Sequence, residues 1–346
     1  MEESIPFLPG ESSPIPGPLG RFLPPFQNGV VRSWLQERYP PGSWVLDPFG
    51  VSPKTVVEAA KAGYRVLVAA NNPVSRALVE MWATPPSTSE LQAVLADLGA
   101  ASKGGERIEK HIKDLYATPC EQCGQEVSAD YFLWEKQVPV PYARYYHCKN
   151  CNDSGERPAT PKDIERASSF SASGLHRARA LERVVPIHDP DRKHAEEALE
   201  VYLPRAVYAL FNLINKIDGM SLTPHRRALL QILLLHACDQ GNTLWAHPTE
   251  RSRPKQLITP SRFRENNIWF ALENGILLWS GAGNPVSLVS WPDHPPAEGG
   301  ISLYEGRLKD LAPSLGDLGI TAITANIPRP NQAFWTLSAL WAGWLW

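Results

Sequence analysis

SWVLDPFGVSPKTVVEAAKAGYRVLVAANNP, residues 43–73, decides the fold of this chain because it alternates short apolar runs with turn residues. Residues 44–46 and 65–70 predict two short buried strands. Between them, residues 55–62 predict a helix, with Ser52 as its N-cap and a proline at the first helical position. A strand, a helix and a strand in this order indicate half of a doubly wound α/β unit. Such folds hold a nucleotide at one edge of the sheet.

The turn after the first predicted strand contains a single glycine. Gly50 lets the main chain approach a ligand closely, and Asp47-Pro48-Phe49 precedes it. A pyrophosphate site would need a glycine-rich fingerprint and a helix N-terminus directed at the phosphates. The turn therefore favours a nucleoside with an uncharged linker over NAD. An ordinary α/β turn without a ligand is the alternative interpretation.

Two motifs in this stretch resemble the S-adenosylmethionine (AdoMet) motifs of amino-group DNA methyltransferases, which methylate adenine N6 or cytosine N4. The family's first motif contains Asp-Pro-Phe and a glycine, as residues 47–50 do. Its second strand ends in an acid followed by Asn-Pro. Residues 71–73 are Asn-Asn-Pro, so an amide stands where the family has the acid that binds the ribose. The resemblance implies that AdoMet is bound by Asp47, Pro48, Phe49, Gly50, Ser52, Asn71, Asn72 and Glu305.

The end of the chain carries a counterpart of the family's catalytic motif. Residues 301–304 and 320–325 predict two further strands, and Asn326-Ile327-Pro328 follows the second. In the family, a polar residue and a proline carbonyl at this place accept hydrogen bonds from the target amino group, and an aromatic ring stacks on the extruded base. Ile327 and Arg329 stand where the family has a proline and the aromatic residue, which leaves a noncatalytic relative as an alternative. The resemblance implies catalytic roles for Asn326, Pro328 and Phe334.

Four cysteines form two Cys-x-x-Cys pairs with 24 residues between them. Two such turns on hairpins make a closed tetrahedral zinc site with no open coordination position. The spacing therefore predicts a zinc ribbon with a structural metal, and it fits a reducing cytoplasm better than a disulfide framework. In this respect the chain is similar to large prokaryotic DNA methylases with an inserted ribbon. The predicted ligands are Cys120, Cys123, Cys148 and Cys151.

The formal net charge is -2, so any surface for nucleic acid has to be local. Residues 251–264, RSRPKQLITPSRFR, carry five cations and no acid. Cationic side chains on a proline-stiffened loop lose little entropy when they contact DNA phosphates. A solvated loop is the alternative. The predicted DNA contacts are Arg251, Arg253, Lys255, Arg262 and Arg264.

No part of the sequence predicts a membrane partner. The longest apolar runs, residues 229–238 and 333–346, are shorter than the roughly 20 residues of a membrane span. The N-terminus has no signal peptide, so we expect a cytoplasmic protein. Residues 344–346, Trp-Leu-Trp, carry no helix-ending signal, which predicts a fragment. Its partner would be the remainder of a longer methyltransferase or a restriction–modification protein.

The predicted fold class is α/β, with a partial Rossmann-like methyltransferase sheet that is interrupted by the ribbon and a helical insertion. Pro204 should split a helix over residues 195–217, and residues 161–195 read as a polar linker. Residues 267–273 predict a helix that stops at Gly275, before a strand over residues 276–279. The predicted domains are an N-terminal arm with a helix (1–40), the first half of the AdoMet domain (41–117), the ribbon (118–160), the linker and helical insertion with the basic loop (161–285) and the second half of the AdoMet domain (286–346).

The functional hypothesis is AdoMet-dependent methylation of an exocyclic amino group of DNA. Its rival is a noncatalytic zinc-ribbon protein that binds nucleic acid on a degenerate methyltransferase scaffold.

Overall fold

A computed structural model describes residues 8–12, 17–171, 174–249, 254–281, 283–327 and 333–346. The chain divides into two compact units. The first, which we name the sheet unit, comprises Met1–Pro86 and Gly281–Pro330. The second, which we name the helical unit, comprises Ser87–Ser280 and Asn331–Trp346.

The described chain forms helices and short strands, which come in runs rather than in strict alternation. The α-helices are α1 (Val30–Arg38), α2 (Pro53–Lys61), α3 (Pro73–Ala83), α4 (Thr88–Ala100), α5 (Ile108–Asp114), α6 (Pro161–Ser168), α7 (Leu175–Glu182), α8 (Arg192–Leu199), α9 (Pro204–Asp218), α10 (Pro224–Gln240), α11 (Ile268–Trp279), α12 (Leu308–Leu311) and α13 (Ala333–Leu345), and a 3₁₀ turn spans Ala312–Ser314. The strands are β1 (Glu11–Ser12), β2 (Gln27–Asn28), β3 (Trp44–Asp47), β4 (Arg65–Ala69), β5 (Ser102–Lys103), β6 (Glu106–Arg107), β7 (Ala117–Pro119), β8 (Glu126–Ser128), β9 (Tyr131–Glu135), β10 (Pro141–His147), β11 (Ser154–Pro158), β12 (Arg262–Asn266), β13 (Leu288–Ser290), β14 (Gly300–Tyr304) and β15 (Ile320–Ile323).

The sheet unit contains a five-stranded parallel sheet in the order β13-β14-β4-β3-β15. The central strands are apolar on both faces, as parallel strands covered by helices require. Val45, Val66 and Ile301 face a cluster that includes residues of α1, α2 and α3. Trp44 and Leu67 face the opposite side, where α12 packs. The α/β prediction is thus confirmed at the level of a mixed α/β fold with a central parallel sheet.

The helical unit combines an antiparallel sheet with packed helices. The sheet has the order β11-β10-β9-β12. As predicted, Pro204 separates two helices, α8 and α9, because it begins α9 as the first helical residue. Helix α10 begins after the cap Thr223 and is buried over most of its length. No described helix combines the length and apolarity needed to cross a membrane.

Three local predictions for the helical unit are wrong. Gly275 does not end a helix: α11 continues to Trp279, because a residue without a side chain lets α11 pack closely on α10. The predicted polar linker contains α6 and α7, and α6 begins with a capping box between Thr160 and Asp163. The predicted basic loop ends in a strand, β12, which pairs with β9.

The unit boundaries also differ from the predicted domain boundaries. Residues 87–117, predicted in the first half of the AdoMet domain, form α4, α5 and short strands of the helical unit. Helix α13, predicted in the second half of that domain, belongs to the helical unit as well. Its tryptophans Trp341 and Trp344 are fully buried there. The sequence of an apolar helix does not show which unit the helix packs against. The assignment of α13 therefore required the three-dimensional structure.

Candidate functional site

The turn after β3 is organised by the side chain of Asp47, which is 1% exposed. One carboxylate oxygen, Oδ1, accepts hydrogen bonds from the backbone N–H groups of Phe49 and Gly50, each at 3.0 Å. The other oxygen, Oδ2, is buried and has no hydrogen-bond partner among the described residues. Burial raises the pKa of the Asp47 carboxyl from 3.8 to about 6, although the two backbone bonds act to lower it. Buried polar atoms in proteins normally have a hydrogen-bond partner, so Oδ2 is an acceptor that a donor from a ligand could satisfy.

Gly50 is required by the shape of this turn. Its φ of 59° lies in the left-handed region, and a Cβ atom there would lie 3.0 Å from Cβ of Ala70 and 3.1 Å from Cγ1 of Val68. The ring of Phe49, in contrast, is 39% exposed at the same turn. The main chain therefore passes tightly over β4 and leaves an apolar ring at the surface.

Three polar side chains join this turn to the end of β15. Oγ of Ser52 lies 2.7 Å from Oγ1 of Thr55, in the first turn of α2. Nδ2 of Asn326 donates a hydrogen bond of 3.3 Å to the same Thr55 oxygen. Main-chain pairing supports the contact, because Thr324 N donates to Leu46 O at 3.0 Å. The predicted cofactor turn and the predicted catalytic Asn326 thus lie at one edge of the sheet. Thr55 was missed from the sequence, since its role depends on the neighbouring strand.

The ends of β4 and β14 carry the remaining residues predicted to bind the cofactor. Asn71 lies two residues after the end of β4 and is exposed. Asn72 is the N-cap of α3, and its side chain accepts a hydrogen bond of 2.8 Å from the backbone N–H of Val74. Glu305 follows β14 and forms an ion pair with Arg76. Asn71 has its side chain at the surface, whereas Asn72 and Glu305 already have partners within the sheet unit.

The other two predicted catalytic residues do not belong to the described part of the sheet unit. Pro328 lies outside the described residues. Phe334 belongs to the helical unit, where it is 2% exposed and its ring packs against Trp335 at a centroid distance of 5.1 Å. A ring buried in this way has no free face for an extruded base, so the geometry disfavours the stacking role.

The four predicted metal ligands come together in the helical unit. Cys120 and Cys123 lie in the turn between β7 and β8, and Cys148 and Cys151 lie between β10 and β11. Their four sulfur atoms lie within 4.8 Å of one another. Sγ of Cys120 is 3.5 Å from that of Cys151, and Sγ of Cys123 is 3.7 Å from that of Cys148. Thiolates about 2.3 Å from a tetrahedral zinc ion would be about 3.8 Å apart, so this cluster is compatible with a structural zinc site.

The two cysteine turns have the same backbone geometry. In each, the N–H of the first cysteine donates to the carbonyl five residues later, at 2.8 Å, and its carbonyl accepts from the N–H four residues later. The residue after the second cysteine has a positive φ in both turns, 73° for Gly124 and 57° for Asn152. Glycine and asparagine adopt this conformation most readily. The sequence signal was visible for Gly124 but not for Asn152.

A hydrogen-bond network of polar side chains links the two cysteine turns. The hydroxyl of Tyr146, a fully buried residue, accepts from the backbone N–H of Glu121 at 2.8 Å and donates to Oδ2 of Asp153 at 2.6 Å. Arg157 closes the ring, because its guanidinium contacts both the Asp153 carboxylate at 2.6 Å and the Glu121 carboxylate at 2.7 Å. The network fixes the two turns relative to each other, as groups around metal ligands commonly do.

Three of the five predicted DNA-contacting cations lie in the part of the chain that the structure describes. Arg251 and Arg253 lie outside the described residues, and Lys255 is exposed. Arg262 and Arg264 are on β12, and each lies over a tyrosine ring: Arg262 is 5.7 Å from Tyr142, and Arg264 is 5.2 Å from Tyr131. Arg262 also pairs with the carboxylate of Glu135 at 2.9 Å. Part of its charge is therefore neutralised within the sheet.

Comparison with protein-family models, with curated proteins and with solved structures finds no match for this chain.

Proposed function

We propose that this chain is an AdoMet-dependent DNA methyltransferase, or part of one, that acts on an exocyclic amino group of adenine or cytosine. The observation that carries the proposal is the hydrogen bond of Asn326 to Thr55. It links the residue that resembles a catalytic acceptor to the helix that follows the turn of Asp47 to Gly50. A methyl donor bound at that turn would lie beside the end of β15.

The strand order supports the same proposal. When the three-residue edge strand β13 is left aside, β3, β4, β14 and β15 are the first to fourth strands in chain order, and across the sheet they lie in the order third, second, first, fourth. This is the order of the first four strands in doubly wound nucleotide-binding folds, which bind their ligand where the strand order reverses. The reversal lies between β3 and β15, where the carboxyl ends carry Asp47 and Asn326.

The donor set suits AdoMet. The buried Oδ2 of Asp47 offers an acceptor for an N–H or O–H group, Gly50 allows close approach of the main chain, and Asn71 offers an exposed amide for a ribose hydroxyl. When bound, AdoMet supplies a methyl group that its own sulfonium already activates, so the protein contributes mainly positioning.

Asn326 would orient the target amino group. Nδ2 of Asn326 donates a hydrogen bond to Thr55. The Oδ1 atom of Asn326 is therefore the acceptor that is available to the target amino group. An amino group that donates to this oxygen directs its lone pair away from the protein and toward the methyl group. The zinc ribbon would be a structural element of the same protein, with Cys120, Cys123, Cys148 and Cys151 as ligands.

A noncatalytic zinc-ribbon protein that binds nucleic acid is the second candidate. Its support is the departure of this chain from the methyltransferase pattern: an amide at Asn71, Ile327 in place of proline, and a buried Phe334. The cations on β12 would then contact phosphates without any transfer of a methyl group.

Calorimetric titration with AdoMet separates the two candidates. The methyltransferase should bind AdoMet, and Asp47→Asn should weaken binding by at least about tenfold because the acceptor oxygen loses its charge. Lys61, at the end of α2, has an exposed side chain. Lys61→Ala is therefore the matched control and should not change the affinity for AdoMet. Asn326→Ala should keep AdoMet binding but abolish transfer of labelled methyl groups to DNA. Salt-sensitive retention of DNA without any heat from AdoMet would instead support the second candidate.

A further inference from the structure

The cluster of four cysteines has a buried side and an exposed side. Cys120 and Cys148 are 3% and 0% exposed, whereas Cys123 is exposed and Cys151 is half-buried. A competing ligand can reach a bound metal only along a path that the protein leaves open. The two sides of the cluster therefore differ in the access that they give to a metal ion.

The hydrogen-bond network between the two cysteine turns lies on the buried side. Oδ2 of Asp153 is 3.8 Å from Sγ of Cys120, and the same oxygen accepts the hydrogen bond of the Tyr146 hydroxyl. Tyr146 also belongs to one apolar cluster with Cys120 and Cys148. If the two turns separated on this side, both the hydrogen bonds and the apolar contacts would be lost.

The bonds to Asp153 are the strong part of this network. The Asp153 side chain is 11% exposed and accepts from the Tyr146 hydroxyl and from Arg157, each at 2.6 Å. Hydrogen bonds to a charged group are strengthened when water is excluded. The contact of Arg157 with Glu121 contributes little, because the Glu121 side chain is 58% exposed.

The Tyr146 hydroxyl joins the two turns at a buried position. It accepts a hydrogen bond from the backbone N–H of Glu121 in the first turn and donates to Asp153, which follows Cys151 in the second. Arg157 holds the Asp153 carboxylate from its other oxygen. The side of Cys123 has no counterpart of this bridge among the hydrogen bonds described here, so it is the side on which the cluster opens more easily.

We infer that Cys123 is the first ligand to release a metal ion held by this cluster, and that Tyr146 is a positioning residue that keeps Cys120 and Cys148 in place. The inference rests on the zinc site of the proposed function and is independent of methyl transfer. At the exposed side, a donor atom of a competing ligand replaces the sulfur of Cys123, and the freed thiolate takes up a proton from water. Cys120 and Cys148 release the metal only after the bridge at Tyr146 has opened.

Limited alkylation of the zinc-loaded full chain tests the order of release. After brief treatment with iodoacetamide, mass spectrometry of peptides identifies the labelled cysteine in molecules that carry a single label. We expect Cys123 to be labelled well before Cys120 and Cys148, because the reagent needs access to the sulfur. The fully buried Cys238 is the internal reference for a folded chain. Equal labelling of the four ligands, or first labelling of Cys120 or Cys148, overturns the inference.

Tyr146→Phe removes the bridging hydroxyl and keeps the ring in the core. Transfer of zinc to the chromogenic chelator pyridylazoresorcinol should become about tenfold faster, because the Glu121 N–H and the Asp153 carboxylate lose this partner. Tyr145→Phe removes a hydroxyl from the adjacent, half-buried tyrosine of β10 and is the matched control, with no change expected. An unchanged transfer rate in Tyr146→Phe overturns the positioning role.

Two further readouts separate positioning from a general loss of structure. With cobalt(II) in place of zinc, Tyr146→Phe should keep the thiolate-to-metal charge-transfer absorption of four cysteine ligands. In single-labelled molecules of the variant, Cys120 should now be labelled as early as Cys123. Loss of the cobalt absorption would mean that the hydroxyl is needed to form the site, which contradicts a role in its opening. A chain that binds no zinc overturns the metal site itself together with this inference, whereas one bound zinc with uniform labelling overturns the inference alone.

Discussion

Asp47 links the stability of the sheet unit to pH. Its carboxyl has a raised pKa of about 6 because burial disfavours the charged form. The native state therefore binds a proton more tightly than the unfolded state does, and the cost of the buried charge develops as pH rises from about 4 to 6. Above pH 6 this cost is fully present, and below about pH 4 it is absent.

Asp47→Asn should remove that dependence. The amide oxygen can still accept from the N–H groups of Phe49 and Gly50, whereas the charge is gone. We expect the free energy of unfolding of the variant, relative to wild type, to increase by on the order of 3 kcal/mol between pH 4 and pH 6.5. Urea denaturation of both proteins across this range measures the difference. A constant difference across the range would show that Asp47 is ionised at every pH tested.

The contact between Asn326 and Thr55 shows what a sequence can predict about a site. The strands and the turn at Gly50 follow from apolar runs and turn residues, and both were predicted. The meeting of β3 and β15 depends on the order of strands across the sheet, which periodicity does not contain. The resemblance to a family placed the two motifs together, but it did not identify Thr55 as the residue between them.

At the scale of the element, α11 shows how packing overrides local propensity. The sequence predicted a stop at Gly275, because glycine weakens a helix. In the structure a Cβ atom at this position would lie 3.2 Å from Cδ2 of Leu233 and 3.3 Å from Cδ2 of His236. Close packing against α10 therefore favours glycine at this position inside the helix. The sequence of α11 alone does not contain this information, because the contact is made with another helix.

Gly275→Val should destabilise the helical unit by about 1–3 kcal/mol, since the larger side chain forces α10 and α11 apart. Thermal denaturation measures the change. Asn274→Ala is the control: this neighbouring residue is exposed, and alanine should leave stability unchanged or raise it slightly. A Gly275→Val protein as stable as wild type would mean that the two helices separate without cost.

At the scale of the whole molecule, the metal should stabilise one unit and not the other. All five cysteines lie in residues 87–280. The apolar cluster beside the four ligands is small, consisting of Cys120, Tyr146 and Cys148 with Val127 and Cys151 at its margin. We therefore expect a core of this size to need a bound metal for its folding.

Removal of the metal with a chelator should increase amide hydrogen exchange in β7, β8 and β11. Exchange in β3 and β4, at the centre of the parallel sheet, should not change. Mass spectrometry of peptides from the treated and untreated protein measures both regions in one experiment. Unchanged exchange in β7 and β8 would show that these hairpins are stable without metal, and increased exchange in β3 would show that the sheet unit depends on it.

The chain leaves the parallel sheet after Pro86 and returns at Gly281, and the backbone N–H of Gly281 donates to the carbonyl of Pro86 at 3.2 Å. The two points where 194 residues depart and re-enter are therefore neighbours. A segment with adjacent ends interrupts its host at little cost in loop closure, since its length no longer separates the flanking strands once it is folded. Once the segment is folded, β4 and β14 need to close only a short gap to pair, although more than 200 residues separate them along the chain. A short Gly-Ser bridge from Pro86 to Gly281 would therefore isolate the sheet unit, provided that α13, which belongs to the helical unit, is removed as well.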